Sequence, residues 1–201
     1  MEDKRWPYVT PGIPDELFQR CESVPITKEE VRAIQISKAR ITTGNTIYDV
    51  GCGSGSVSVE AAIQAGPLGV VFGIDHNIDA VNTTKNNASI FGLKNITTIH
   101  GEAASVIPTL PPANIILIGG TGGDTADILN LCTQRLVPGG RIVVGMILIE
   151  TISQVLSVID NTGLEDVDIT QITILKSRRT GTGTMMLARN PVTIASASIP
   201  L

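Results

Sequence analysis

The sequence predicts an α/β protein with a doubly wound sheet, five parallel strands followed by a C-terminal antiparallel hairpin. Short apolar, β-branched runs alternate with helix-length segments, a glycine-rich string follows the first run, and near the C-terminus two strand-like runs follow each other with no helix between them. With 201 residues, the chain is long enough for one domain with a sizeable core and too short for two ordinary ones.

Residues 1–40 form an N-terminal segment and a first helix. Thr27-x-x-Glu30 reads as a capping box opening the helix that carries Val31 and Ile34. Thr46 to Val50, Val70 to Ile74, Ile96 to Ile99, Ile115 to Ile118 and Ile142 to Gly145 read as the parallel strands. Ser56 to Ala65 is a helix stopped by Gly66-Pro67, Asp79 to Phe91 one stopped by Gly92, and a third spans about Thr151 to Thr162. Parallel strands need such crossovers. Val167 to Leu175 and Thr184 to Ala188 read as the hairpin, joined by a short stretch containing Gly and Arg, and residues 191–201 read as a tail.

Composition narrows the function. Hydrophobic residues make up 42% and charged residues 17%, which is globular. Net charge is −4 and the isoelectric point about 5.1, against the basic excess of proteins that grip nucleic acid by its phosphates. The start lacks a signal-peptide core and no apolar run approaches the roughly 18 residues of a membrane span, so a cytoplasmic protein is expected. Cys21, Cys52 and Cys132 show no metal or disulfide spacing, and His76 and His100 are too dispersed for a metal site.

The string Asp49-Val50-Gly51-Cys52-Gly53-Ser54-Gly55 lies where the first strand turns into the first crossover helix, the place where an open α/β sheet binds its ligand. Its glycines let the backbone run close to a ligand, and the helix amides beyond Gly55 face an anionic group. A turn chosen only for packing is the plainer alternative. A dinucleotide fingerprint needs a glycine where Ser56 stands, which disfavours a nicotinamide oxidoreductase. Asp75 ends the second strand, where a carboxylate can accept both ribose hydroxyls or simply cap a helix. Glu102 and Ala103 follow the third strand and are candidates for lining a base, although an acid there can also just open a helix.

Further segments lie outside this generic motif: Trp6-Pro7-Tyr8, Pro11 to Phe18, Thr27 to Arg32, Gly119 to Gly123 and Gly183-Thr184-Met185-Met186. Together with the glycine turn they resemble the CbiT-type, decarboxylating cobalt-precorrin (or precorrin) C15-methyltransferases of cobalamin biosynthesis, over nearly the whole chain. The resemblance implies a Rossmann-like class I methyltransferase sheet, S-adenosyl-L-methionine as cofactor, and a tetrapyrrole substrate methylated at C15 while the C12 acetate loses carbon dioxide. It also implies that Thr27, the Gly51 to Gly55 turn, Asp75 and Ala103 meet the cofactor, and that the chain forms a homotetramer with the hairpin and the last apolar residues as candidate contacts.

On that reading Gly119, Gly120, Thr121, Gly122 and Gly123, after the fourth strand, are candidates for lying against the flat ring, or else form a loop. Arg178 and Arg179, with Lys176, are the dense basic cluster, suited to substrate carboxylates or to a solvated turn. Glu150, after the fifth strand, is the candidate proton-transfer group and equally a helix-start acid. Trp6 and Tyr8 either cover the site or anchor the N-terminal segment. The competing readings are a methyltransferase of the same fold acting on tRNA or protein, and a cofactor-binding subunit without activity of its own.

Overall fold

The computed structural model describes residues 5–121 and 123–201; Gly122 and residues 1–4 lie outside the described residues. Seven strands form the main sheet: β1 (Thr46–Val50), β2 (Val70–Asp75), β3 (Ile96–His100), β4 (Ala113–Ile118), β5 (Leu136–Met146), β6 (Glu165–Ile172) and β9 (Val192–Ser198), in the order β3-β2-β1-β4-β5-β9-β6. The first five pair in parallel, and β9 runs antiparallel to β5 and β6. The remaining strands, β7 (Leu175–Thr180) and β8 (Gly183–Ala188), make a separate two-stranded sheet.

Strand side chains alternate between faces. Tyr48, Val50, Ile74, Ile116, Ile118, Ile142 and Val144 therefore pack on one side against α5 (Thr125–Thr133) and α6 (Ile149–Asn161). Ile47, Val71, Ile115, Leu117 and Val143 pack on the other against α1 (Glu29–Ala39) and α2 (Ser56–Ala65). A third cluster, with Ile13, Phe18, Ile26, Val59 and Phe91, fastens the N-terminal segment beside α2 and α3 (Ile78–Ile90). This is the predicted α/β plan, with helices on both faces of the sheet.

Three expectations change. Residues 191–201 are not a tail: they hold β9, whose Ile194, Ala195 and Ala197 are buried in the sheet between β5 and β6. The antiparallel partner of β6 is β9, not the run from Thr184 to Ala188. Pairing nevertheless carries on from Ile172↔Val192 through the Arg189 N–H to Ile174 carbonyl bond to Leu175↔Ala188, with the register shifted by one residue across the stretch that holds Pro191, so β6–β7 and β8–β9 form one long hairpin broken in the middle. Proline has no N–H to give to a ladder, which is why the pairing breaks there and the tip leaves the sheet. The capping box is absent as well. Lys28 is the N-cap of α1, no side chain caps it, and the Thr27 carbonyl accepts a hydrogen bond from Arg32 instead. The buried Arg32 guanidinium also pairs with Glu60 Oε1 at 2.7 Å and Asp15 Oδ1 at 3.0 Å, and this network rather than a cap fixes the entry to α1.

Candidate functional site

Strand β1 pairs with β2 on one side and β4 on the other, so the chain reverses its winding direction at β1 and opens a crevice beyond the strand ends. The glycine turn sits in that crevice. Gly51, Gly53 and Gly55 have φ of 73°, 53° and 74°, values that a side chain strains. Close approach adds to the requirement, because a Cβ on Gly51 would overlap the Gly120 carbonyl and one on Gly55 would lie 2.6 Å from the Thr84 side chain. Packing thus explains the glycines and, by narrowing the turn, exposes its backbone to the crevice.

Two carboxylates brace the turn. Asp75 is 9% exposed; its Oδ2 accepts the Gly53 N–H at 3.0 Å and its Oδ1 the Asn77 N–H at 2.9 Å. Asp49 is buried under the turn, accepts a hydrogen bond from Ser58, and has its carboxyl pushed up to about 6 by burial, with the negative Asp75 adding to the effect. Burial likewise raises the Cys52 thiol, which makes it an inert wall group.

A cavity of about 1150 Å³ opens above the strand ends. Gly51, Cys52, Gly53, Asp75, Thr27, Gly119, Gly120, Thr121 and Gly123 line it, so the structure brings most of the sequence-derived site into one place. A smaller adjoining cavity of about 130 Å³ shares Gly51, Asp75, Gly120 and Thr121 and is lined in addition by Glu102 and Ala103. Ser54 and Gly55 stand back from the lining: the Ser54 N–H bonds the Pro25 carbonyl at 3.2 Å, and Gly55 is the N-cap of α2. The predicted contact at Gly122 lies outside the described residues.

Other candidates fall away from the cavity. Glu150 is exposed in the first turn of α6 and is not among the lining residues, although Leu148 and Thr151 are. Arg178 and Arg179 are exposed on β7, also outside the lining, and Lys176 is engaged by Glu29 at 2.7 Å and Glu30 at 3.0 Å. Arg189 and Gln35, which sequence reasoning passed over, are cavity wall residues. Arg189 follows β8 and stands 3.7 Å from Glu30. Burial alone would push the Glu30 carboxyl up, but its backbone amide, Lys176 and Arg189 outweigh that and hold it below its ordinary value. Gln35 was detectable: on a 3.6-residue period it falls on the buried stripe of α1 with Val31, Ile36 and Ala39, an amide in an apolar row.

An open sheet of this order, with a glycine turn after its first strand and an acid after its second, defines the class I methyltransferase fold. A S-adenosylmethionine-dependent O-methyltransferase from Thermotoga maritima shares it at TM-score 0.77 and 14% identity, covering 90% of this chain and 68% of that one. The particular family is given by the whole chain. A precorrin methyltransferase domain matches residues 17–198, and the protein belongs to that family. A Saccharolobus solfataricus protein named probable cobalt-precorrin-6B C(15)-methyltransferase (decarboxylating) is 44% identical over 97% of this chain and 99% of its own. The crystal structure of a Methanobacterium thermoautotrophicum protein described as precorrin 8W decarboxylase superposes with TM-score 0.87 at 36% identity, covering 93% of this chain and all of that one.

Proposed function

We propose that the protein is the S-adenosylmethionine-dependent enzyme that methylates C15 of a cobalt-precorrin or precorrin and removes the C12 acetate carboxylate as carbon dioxide. The observation that carries this is the cavity of about 1150 Å³ at the winding reversal, walled by the glycine turn on one side and apolar chain on the other, in a member of this family. That volume lies just above the range of ordinary ligand sites, about 300–1,000 Å³, and suits a cofactor beside a large flat substrate.

The residues present fit the cofactor. A carboxylate has about four lone-pair sites, and the two backbone bonds at Asp75 leave acceptors for ribose hydroxyls. The backbone of Gly51 to Gly53 lines the cavity beside it, and Ala103 closes the smaller space suited to adenine. When bound, the cofactor supplies an electrophilic methyl group. The protein's part is to align the substrate carbon with that methyl and to keep water out, which favours positioning over a strong base. In the decarboxylation, the bond between the carboxylate carbon and the acetate methylene breaks, its electron pair enters the conjugated ring, and a proton from solvent restores the charge. Arg189, on the cavity wall with Thr121 and Gly123, supplies a fork for a substrate carboxylate that stays.

We extend the proposal to assembly and place. A two-stranded hairpin is marginal alone, and β7–β8 exposes Leu175, Met185, Met186 and Leu187. A homotetramer joined through these hairpins, working in the cytoplasm, gives that surface a partner and brings Arg178 and Arg179 near a second copy. Light scattering reads the subunit number directly. The reaction itself is tested by incubating the protein with methyl-labelled S-adenosylmethionine and the late precorrin intermediate: one labelled methyl gained and one carbon dioxide lost is the expected product. Binding of S-adenosylhomocysteine with no change in any tetrapyrrole would overturn the assignment.

A further inference from the structure

The polar groups of α1 are treated unequally. Arg32 is fully buried and every side of its guanidinium is matched, by Glu60, Asp15 and the carbonyls of Thr27 and Ile13. Gln35, one turn on, is 6% exposed, yet its Oε1 is buried with no hydrogen-bond partner. Among the described residues nothing bonds its amide, and the residue lines the large cavity. A buried amide left unmatched is costly, and a Leu or Met of similar size would fill the same space without that cost.

The sheet makes room for this amide. A Cβ on Gly145 would fall on Gln35 Nε2, so the amide lies against the backbone near the end of β5, on the side of β4. Gly145 sits inside a strand and pairs with Ile194 of β9, a position where glycine weakens a sheet and often marks close approach of another group. An unmatched amide and a strand glycine that accommodates it are two costs at one point, both facing the cavity. Asp75 ends β2, on the opposite side of the winding reversal, so Gln35 lies in the half of the cavity remote from the ribose acid. The cavity lining includes apolar residues such as Val31, Ile174 and Val192, and a hydrogen bond made in such a wall is stronger than one made in water.

We infer that Gln35 is a substrate-binding residue whose amide hydrogen-bonds the polar edge of the tetrapyrrole, giving an N–H to a carboxylate or carbonyl oxygen or accepting one from a ring N–H. This rests on the reaction proposed above. The amide is neutral, so it fixes the ring's register without adding charge to a cavity that already holds the Arg189 guanidinium.

The test compares Gln35→Met and Gln35→Glu with the wild-type protein, measuring thermal midpoint, S-adenosylhomocysteine affinity by calorimetry, and steady-state kinetics with the tetrapyrrole. Gln35→Met should keep or raise the thermal midpoint, keep cofactor affinity within about twofold, and lower kcat/KM for the tetrapyrrole about tenfold, the scale of one lost hydrogen bond. Gln35→Glu should lower kcat/KM further at neutral pH, through repulsion of substrate carboxylates, and recover in part as the pH falls and the new carboxyl is protonated. A Gln35→Met enzyme with wild-type kcat/KM would overturn the inference. So would a fall in thermal midpoint together with lost cofactor affinity, the signature of a purely structural glutamine. If wild-type protein converts no tetrapyrrole, the proposed reaction falls and this inference with it; a working wild type beside an unaffected Gln35→Met variant removes the inference alone.

Discussion

At Asp75 one carboxylate already holds the backbone of the glycine turn, and in the proposed function it faces the ribose as well. Asp75→Ala should therefore weaken S-adenosylhomocysteine by about 1–3 kcal/mol, the scale of lost hydrogen bonds to a charged group, as read by calorimetry. Asp49 gives a pH effect whose sign follows from its burial. Its carboxyl rises from the ordinary 3.8 to about 6 in the folded state, so the stability it contributes is complete below the unfolded value and is lost as pH climbs through the folded one. Between about pH 4 and pH 7 that loss amounts to about 3 kcal/mol. Asp49→Asn keeps an acceptor for Ser58, and chemical denaturation across this range should show a flatter dependence than in wild type. The placement of Asp75 beside the turn was legible because strand end, glycine spacing and acid lie close together in sequence. Arg189 was not, and for Gln35 only its place on the buried stripe of α1 was, since the significance of both depends on facing a cavity built from distant segments.

At the scale of elements, the loop after β4 packs on the glycine turn, and the two sides of that contact differ in freedom. Gly51 has no room for a side chain, whereas a Cβ on Gly120 meets nothing within 4 Å and projects at the shared edge of both cavities. Gly120→Val should fold with a near-normal thermal midpoint and lose tetrapyrrole turnover by roughly tenfold or more, the scale of a misplaced reacting group. Measuring both on one preparation checks it; normal turnover would show that the ring does not approach this loop. The basic residues illustrate the limit of a local reading. Lys176, Arg178 and Arg179 are adjacent in sequence, but pairing in β7 and the bridges to α1 divide them between an ion pair and exposed positions. Their charge was visible in the sequence and their direction was not. Replacing Arg189 with Gln should raise the Michaelis constant for the tetrapyrrole several-fold, the expectation for a lost charged hydrogen bond partly exposed to water, with cofactor affinity unchanged.

For the whole molecule, the segment that carried no sequence pattern is structurally central. Strand β9 separates β5 from β6, and with it come the buried Ile194, Ala195 and Ala197. Ending the chain before Val192 should abolish cooperative unfolding, as followed by circular dichroism, because β6 loses its partner in the sheet and β5 one of its two. In the full-length chain Ile194→Ala should cost about 2–5 kcal/mol, the range for truncating a buried Ile. A truncated chain that unfolds with the wild-type midpoint would mean the sheet closes without β9.

The sequence alone determined the parallel half of the sheet, because each of those strands announces itself by a β-branched run and the crossovers after β1 and β2 end on Gly, whereas α5, between β4 and β5, ends without such a stop. It also determined the glycine turn and the acid of β2, whose conformational and chemical demands are met by residues within one βαβ unit. Only the tertiary structure decided the antiparallel half. Val192 to Ser198 is a run of small side chains, Ala and Ser among them, that gives little hydrophobic signal locally and becomes a strand because the gap between β5 and β6 admits small residues on both faces. The far wall of the cavity was decided the same way: Gln35 comes from α1, Gly145 from β5 and Arg189 from beyond β8, and no stretch of sequence records that they meet. Local conformational preference is written residue by residue, whereas the choice of strand partners and cavity walls is a property of how the buried surfaces fit together.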